Sequence, residues 1–388
     1  MFLKWTPDRC FPLRQRLAKH RATKGYVRMT QMPVPQPGIE NIKLYQGGES
    51  RLAGHDTVLK LSSNENPLGP PPSAIEAIKG AADAVHLYPS TDHADLRAAI
   101  GEVHGLDPAR IICGVGSDEV LQMITQAYAG VGDEIIHTEH GFSLYPVLIH
   151  MAGATPVCLH ERERVVDVDA VLAAITQKTR VILITNPGNP TGTMLSEAEL
   201  QKLVEGVPDH IVLVLDGAYT EYTESDGGAA FATERKNVLM TRTFSKIYGL
   251  GGLRIGWGYG DLGLIETMTR IRQPFNLSTV QLAASNAAVR DRNWVETCRV
   301  LNETQRARLI GALGQLGVNC DESQTNFVLA RFASAEEAGS AKAALEAKGI
   351  IVRAVAGYGF PEGLRITVGD AEQTGRVIDA LTEWREVV

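Results

Sequence analysis

The chain has 388 residues, 44% of them apolar and 21% charged, which are the proportions of an ordinary globular protein. Its net charge of −7 argues against nucleic acid as the main ligand, because phosphate backbones select basic faces. No apolar run reaches the roughly 18 residues that a membrane span needs. Five widely spaced cysteines without a C-x-x-C pair point to reduced thiols in a cytoplasmic protein, with neither a zinc site nor a disulfide framework.

Residues 1–32 carry eight lysines and arginines against one acid, Asp8. This reads as a disordered basic leader; a targeting segment is the alternative, although no apolar stretch follows the charges as in a secretory signal. The three prolines of "QMPVPQPG" suit an extended arm, residues 33–62. "ENPLGPPPSAIEAI" then opens a helix behind a proline cluster, with Ser73 as the expected N-cap.

From about residue 110, short apolar runs alternate with helical periodicity. "RIICGVG", "DEIIHT", "TPVCLH", "TRVILIT", "HIVLVLD" and "NVLMTRT" have the length and β-branched content of strands buried on both faces, as in a parallel sheet covered by helices. "SEAELQKLVEGV" begins a helix with a capping box, Ser196 to Glu199. After about 285 a long helical stretch is followed by "TNFVLARF", a helix, "GIIVRAV" and "LRITVG", an α+β pattern. The expected fold is α/β, with a mainly parallel central sheet in a large domain (63–285) and a smaller α+β domain (286–388).

Ligands of open α/β sheets sit at the carboxyl ends of the strands. There "IVLVLD" ends in Asp216, an acid that must meet a cation or another partner, whether as a helix cap, a salt bridge or a ligand contact. "ITNPGNPTG" forms a stiff turn that offers side-chain amides. "GVGSDE" joins a strand to a helix, where backbone N–H groups and the helix dipole favour a single phosphate. Lys246 in "TRTFSKIYGLGGLRIG" is the one lysine between Lys236 and Lys342. Alone it reads as a surface lysine; next to Arg254 it could lose its proton and become nucleophilic. The neighbouring glycines 249, 251 and 252 are expected to let the backbone approach a ligand. Together these segments ask for a ligand with one phosphate, a group that needs an acid partner and a carbonyl that traps an amine. Pyridoxal 5′-phosphate has all three.

The order and spacing of "LSSNENPLGP", "YPS", "GVGSDE", "NPGNPTG", "LDGAY", "TFSKIYGLGGLRIG", "SQTNFVLARF" and "LRITVG" resemble the fold-type I pyridoxal-phosphate aminotransferases, and within them the histidinol-phosphate aminotransferase family. The resemblance runs from about Pro33 to the C-terminus. It implies that Lys246 holds the cofactor covalently and shuttles protons, while Asp216 meets the ring nitrogen. Tyr219 and Asn189 would bond the ring's phenolate oxygen, and Phe142 would stack on the ring. Ser117, Asp118, Thr243, Ser245 and Arg254 would cradle the phosphate. Tyr88 would reach the phosphate of a neighbouring subunit in a homodimer. Tyr45, Asn189, Arg353 and Arg365 would contact the substrate. The implied reaction passes an amino group from L-histidinol phosphate to a 2-oxo acid, 2-oxoglutarate, in histidine biosynthesis. An aromatic amino acid aminotransferase is the alternative, and a threonine-phosphate decarboxylase a more distant one. Two departures from the family pattern are Gly217, where relatives commonly carry glutamate, and the missing prolines before Phe142. No metal is implied.

Overall fold

A short strand, β1 (Leu59–Lys60), precedes the main sheet, whose strands are β2 (Ile111–Gly114), β3 (Glu134–Thr138), β4 (Thr155–Leu159), β5 (Thr179–Thr185), β6 (Val212–Asp216), β7 (Val238–Thr243) and β8 (Gly256–Gly260). The structure, a computed structural model, describes residues 33–43, 49 and 51–387. The basic leader and Tyr45 therefore lie outside the described residues.

The strand order is β2-β8-β7-β6-β5-β3-β4, and β8 alone runs antiparallel to its two neighbours. Strand alternation sends successive side chains to opposite faces. Ile182, Ile184, Leu213 and Leu215 join one apolar cluster, whereas Val181, Leu183, Val212 and Val214 join another. Both faces are thus covered, which is why these strands read as unbroken apolar runs. The run "TPVCLH" differs: β4 is an edge strand with exposed Thr155 and Cys158.

Beyond the sheet, the helix Arg292–Gln315 leads to β9 (Asn319–Cys320), β10 (Phe327–Arg331), β11 (Ile350–Ile351), β12 (Arg353–Ala354) and β13 (Gly363–Thr367). Four of these form a second sheet in the order β12-β13-β10-β9, around a core of Val328, Ile366, Leu345 and Trp384. β1 pairs in parallel with β11, and Leu61 joins that second core, so the residues just before 62 pack with the C-terminal part of the chain. Gln36–Val388 make one compact unit. Among the described residues no helix is long and apolar enough to cross a membrane.

Three local expectations are corrected. The helix Pro72–Ala81 starts after Pro71, and the Ser73 hydroxyl donates instead to Asp291, 2.8 Å away. Ser196 accepts from the Glu199 N–H, but the full reciprocal capping box forms at Ser278 and Gln281. Part of the arm is not extended, because Ile39–Asn41 make a 3₁₀ turn.

Candidate active site

The parallel strands end side by side, and their last residues open on a cavity of about 420 Å³, within the usual size range for small-molecule sites. Thr185, Asp216 and Thr243, from the ends of β5, β6 and β7, line it. Asp216 is buried. Its Oδ2 accepts from the Tyr145 hydroxyl at 2.9 Å and its Oδ1 from Thr241 at 2.9 Å. Burial raises this carboxyl to about 6 in spite of those two donors. The Lys246 charge also lowers it, less than those two donors do. A carboxylate at this place has the chemistry to pair with a cationic ring nitrogen.

Lys246 lies in the loop between β7 and β8, half-buried and lining the same cavity. Its amine is brought down to about 8, first by burial, then by the Arg365 charge and only after that by Arg254. The cation that matters more is therefore Arg365, from the second sheet, rather than the expected Arg254. The Lys246 Nζ stands 5.7 Å from the centre of the Tyr219 ring. The Tyr219 hydroxyl accepts from Asn64 Nδ2 at 2.9 Å, and burial raises its pKa. Asn66 Nδ2 donates to the Ile247 carbonyl at 2.6 Å and ties the lysine loop to the "SSNENP" segment. Gly249 serves this packing, not a ligand: at φ 65° it lies against Gly69, whose carbonyl oxygen would be 2.2 Å from an added Cβ.

Opposite, the helix Gly116–Tyr128 points its N-terminus at the cavity through Ser117 and Asp118. Gly256 permits this approach, since a Cβ there would stand 2.1 Å from the Ser117 nitrogen. Arg254 donates to Asp118 Oδ2 at 2.8 Å and to Ser245 Oγ at 3.2 Å. A helix N-terminus, two hydroxyls (Thr243, Ser245) and a guanidinium make a phosphate site. Glu119, which stands where a dinucleotide fingerprint would have its third glycine, accepts from the Val115 N–H at 2.6 Å and from Asn276 at 2.7 Å. The residues present fit pyridoxal phosphate: an amine, a buried acid and a monophosphate cradle share one cavity.

Arg365, on β13, is buried and donates to Asn189 Oδ1 at 2.6 Å and to the Ser62 carbonyl at 2.9 Å. Arg353, on β12, lines the cavity, and so does Phe142. The structure thus gathers Ser117, Asp118, Phe142, Asn189, Asp216, Tyr219, Thr243, Ser245, Lys246, Arg254, Arg353 and Arg365 around one space. Tyr88 does not line the cavity of its own chain; it is 84% exposed and its ring lies tilted against Phe275, centres 4.6 Å apart. Sequence reasoning missed Ser62, Asn64, Tyr145, Thr185 and Tyr358. "LSSNENPLGP" was noticed without a role for Asn64, and the spacing Phe142-x-x-Tyr145 was the available signal for Tyr145.

A loop lysine and a strand-end aspartate that share a cavity with a phosphate cradle, at the end of a mainly parallel sheet, define a pyridoxal-phosphate enzyme of the aminotransferase type. The family described as aminotransferase class I and II matches residues 56–381, and the chain belongs to that family. The histidinol-phosphate aminotransferase of Ruegeria pomeroyi is 62% identical over 353 residues, covering 91% of this chain and 98% of its own length. That of Dinoroseobacter shibae is 58% identical over 358 residues, covering 92% and 99%. The crystal structure of histidinol-phosphate aminotransferase from Sinorhizobium meliloti in complex with pyridoxal-5′-phosphate superposes with a TM-score of 0.84 at 26% identity, covering 92% of this chain and 99% of that one. Within the class I and II family, the chain belongs with the histidinol-phosphate aminotransferases.

Proposed function

We propose that the chain is a histidinol-phosphate transaminase of histidine biosynthesis. It moves the amino group of L-histidinol phosphate to 2-oxoglutarate, giving imidazole acetol phosphate and L-glutamate, with pyridoxal phosphate as cofactor. The observation that carries this reading is the one cavity in which an amine lowered to about 8, a buried carboxylate and three arginines meet.

Bound pyridoxal phosphate supplies an electron sink for the pair left on the donor's amino-bearing carbon. The protein's share is positioning and proton movement. Arg254, Thr243, Ser245 and the backbone of Ser117 and Asp118 would hold the cofactor phosphate. Asp216 would accept a hydrogen bond from the ring nitrogen. Asn189 and Tyr219 would serve the phenolate oxygen, and Phe142 would cover the ring. Lys246 Nζ takes the proton from the donor carbon as general base and delivers it again. Arg353 and Arg365 receive the anionic end of each substrate, the phosphate of the donor and a carboxylate of the acceptor, by charge-assisted bonds. Tyr45 is proposed as a further contact to that end.

An arginine that binds a carboxylate suits aromatic amino acids as well, so the substrate assay is the test. With 2-oxoglutarate present, kcat/KM for histidinol phosphate is expected to exceed that for phenylalanine or tyrosine. Aromatic substrates ahead by orders of magnitude would reassign the pathway and leave the reaction type intact.

A homodimer is part of this reading. Val85, Leu87 and Tyr88 are 66%, 60% and 84% exposed in one short segment, an apolar strip that a second copy would cover. Tyr88 would then bond the partner's cofactor phosphate. Tyr88→Ala is expected to raise the cofactor dissociation constant about tenfold, the loss of one hydrogen bond to a charged group, with the dimer retained. Fluorescence titration of cofactor-free protein measures this, and an unchanged constant refutes the shared site. A cytoplasmic location accords with Cys113, Cys158, Cys298 and Cys320, all of them free thiols.

A further inference from the structure

Thr185, Asp216 and Thr241 are neighbours in register across β5, β6 and β7, with Thr185 opposite Asp216 and Asp216 opposite Thr241. Their side chains form one buried row at the sheet's carboxyl end. Tyr145, the first residue of the helix Tyr145–Ala152, joins the row from the sheet face that carries Leu183 and Val214. Its hydroxyl lies 2.9 Å from Asp216 Oδ2 and 2.6 Å from Thr185 Oγ1.

A phenol has one proton, and an ionised carboxylate only accepts. With the Tyr145 proton given to Asp216, Thr185 must donate to the phenol oxygen. The donor chain then runs Thr185 to Tyr145 to Asp216, while Thr241 serves the other carboxylate oxygen at 2.9 Å. The Tyr145 ring packs among Leu148, Ile149 and Ile135, where a phenylalanine would fill the same space. The hydroxyl is the ring's one polar atom, and it is spent on this row.

We propose that Tyr145, oriented by Thr185, is a positioning residue that holds the Asp216 carboxylate ionised and fixed for the ring nitrogen of the cofactor. This rests on the pyridoxal-phosphate reading and adds a residue to it. All four side chains are buried, so loss of the Tyr145 hydroxyl takes from the carboxylate one of its two protein donors.

The test is binding to cofactor-free protein of pyridoxal phosphate and of its 1-deaza analogue, in which C–H replaces the ring nitrogen. Both carry the same aldehyde and phosphate, so only the ring-nitrogen contact differs. Wild type is expected to prefer pyridoxal phosphate. Tyr145→Phe should weaken pyridoxal phosphate about tenfold and leave the analogue unchanged. Thr185→Val should shift the same ratio in the same direction by less, and it keeps the test in force if the phenylalanine variant does not fold. An equal loss for both ligands, or no loss for either, in a folded variant makes Tyr145 a packing residue and overturns the proposal. Failure of wild type to bind either ligand refutes the cofactor reading instead.

Discussion

Lys246→Ala is expected to lower kcat by roughly 10⁴-fold, the upper range for removal of a positioned proton carrier. It should also abolish the visible absorbance that borohydride bleaches in the wild-type holoenzyme. Lys246→Arg should be equally inactive. It keeps the positive charge between Arg365 and Asp118, but a guanidinium does not give up its proton. Equal loss in the two variants therefore separates proton movement from electrostatics. Full activity in either one removes Lys246 from the reaction.

The lowered amine adds a pH signature. Its value of about 8 means that in cofactor-free protein the neutral, nucleophilic amine falls about tenfold per pH unit below pH 8. The rate of covalent cofactor capture should rise with pH and level off above 8. The stability sign follows from the same shift. Between about 8 and 10.5 the unfolded chain keeps this proton and the folded chain does not, so stability rises with pH across that window. Below 8 the buried ammonium costs stability, and Lys246→Ala should relieve part of that cost.

Much of the sheet was readable because β5, β6 and β7 are buried on both faces and therefore carry apolar runs, VILI, VLVL and VLM. β8 was not. "GWGYG" has no β-branched residue and does not stand out as a strand in the sequence. It is an antiparallel strand whose glycines admit close neighbours: Gly256 meets the helix N-terminus, and Gly258 lies where a Cβ would be 2.9 Å from Val120. The alternation of Trp257 and Tyr259, both buried, was the missed period-two signal.

Site residues that end a strand or follow a lysine motif could be found, because chemistry and position coincide in them. Asn64 and Tyr145 are harder to read, since each hydrogen-bonds another side chain 155 or 71 residues away and only the spacing from Phe142 marks Tyr145 locally. Arg365 reads as an anion contact in the sequence, but its effect on the Lys246 amine depends on the fold bringing both residues to one cavity. That proximity is a tertiary fact that no local pattern encodes. Gly217 is explained by close packing as well: a Cβ there would lie 2.4 Å from Thr220 Oγ1, so a glutamate would have to displace Thr220.

Asp216→Asn is expected to part activity from stability. The amide has the shape of the carboxyl: its oxygen can accept from Tyr145 and its NH₂ can donate to Thr241, so the row survives. It has no negative charge to keep the ring nitrogen protonated, and kcat should fall about 10²- to 10³-fold, the scale seen when one preorganised electrostatic contact is removed. Cofactor-free protein should respond in the opposite sense. The folded carboxyl sits at about 6, above its ordinary 3.8, so its favourable contribution is complete below 3.8 and is lost as pH rises through 6. At pH 7 the buried charge is a liability that the amide removes. The cofactor-free variant should gain on the order of 1 to 3 kcal/mol at pH 7, and the gain should vanish near pH 4. Denaturation at the two pH values reads this directly. A variant that loses activity and stability together at pH 7 would mean that Asp216 holds the sheet end together, whereas loss of activity with a pH-dependent gain in stability marks a charge kept for the cofactor against the interest of the empty fold.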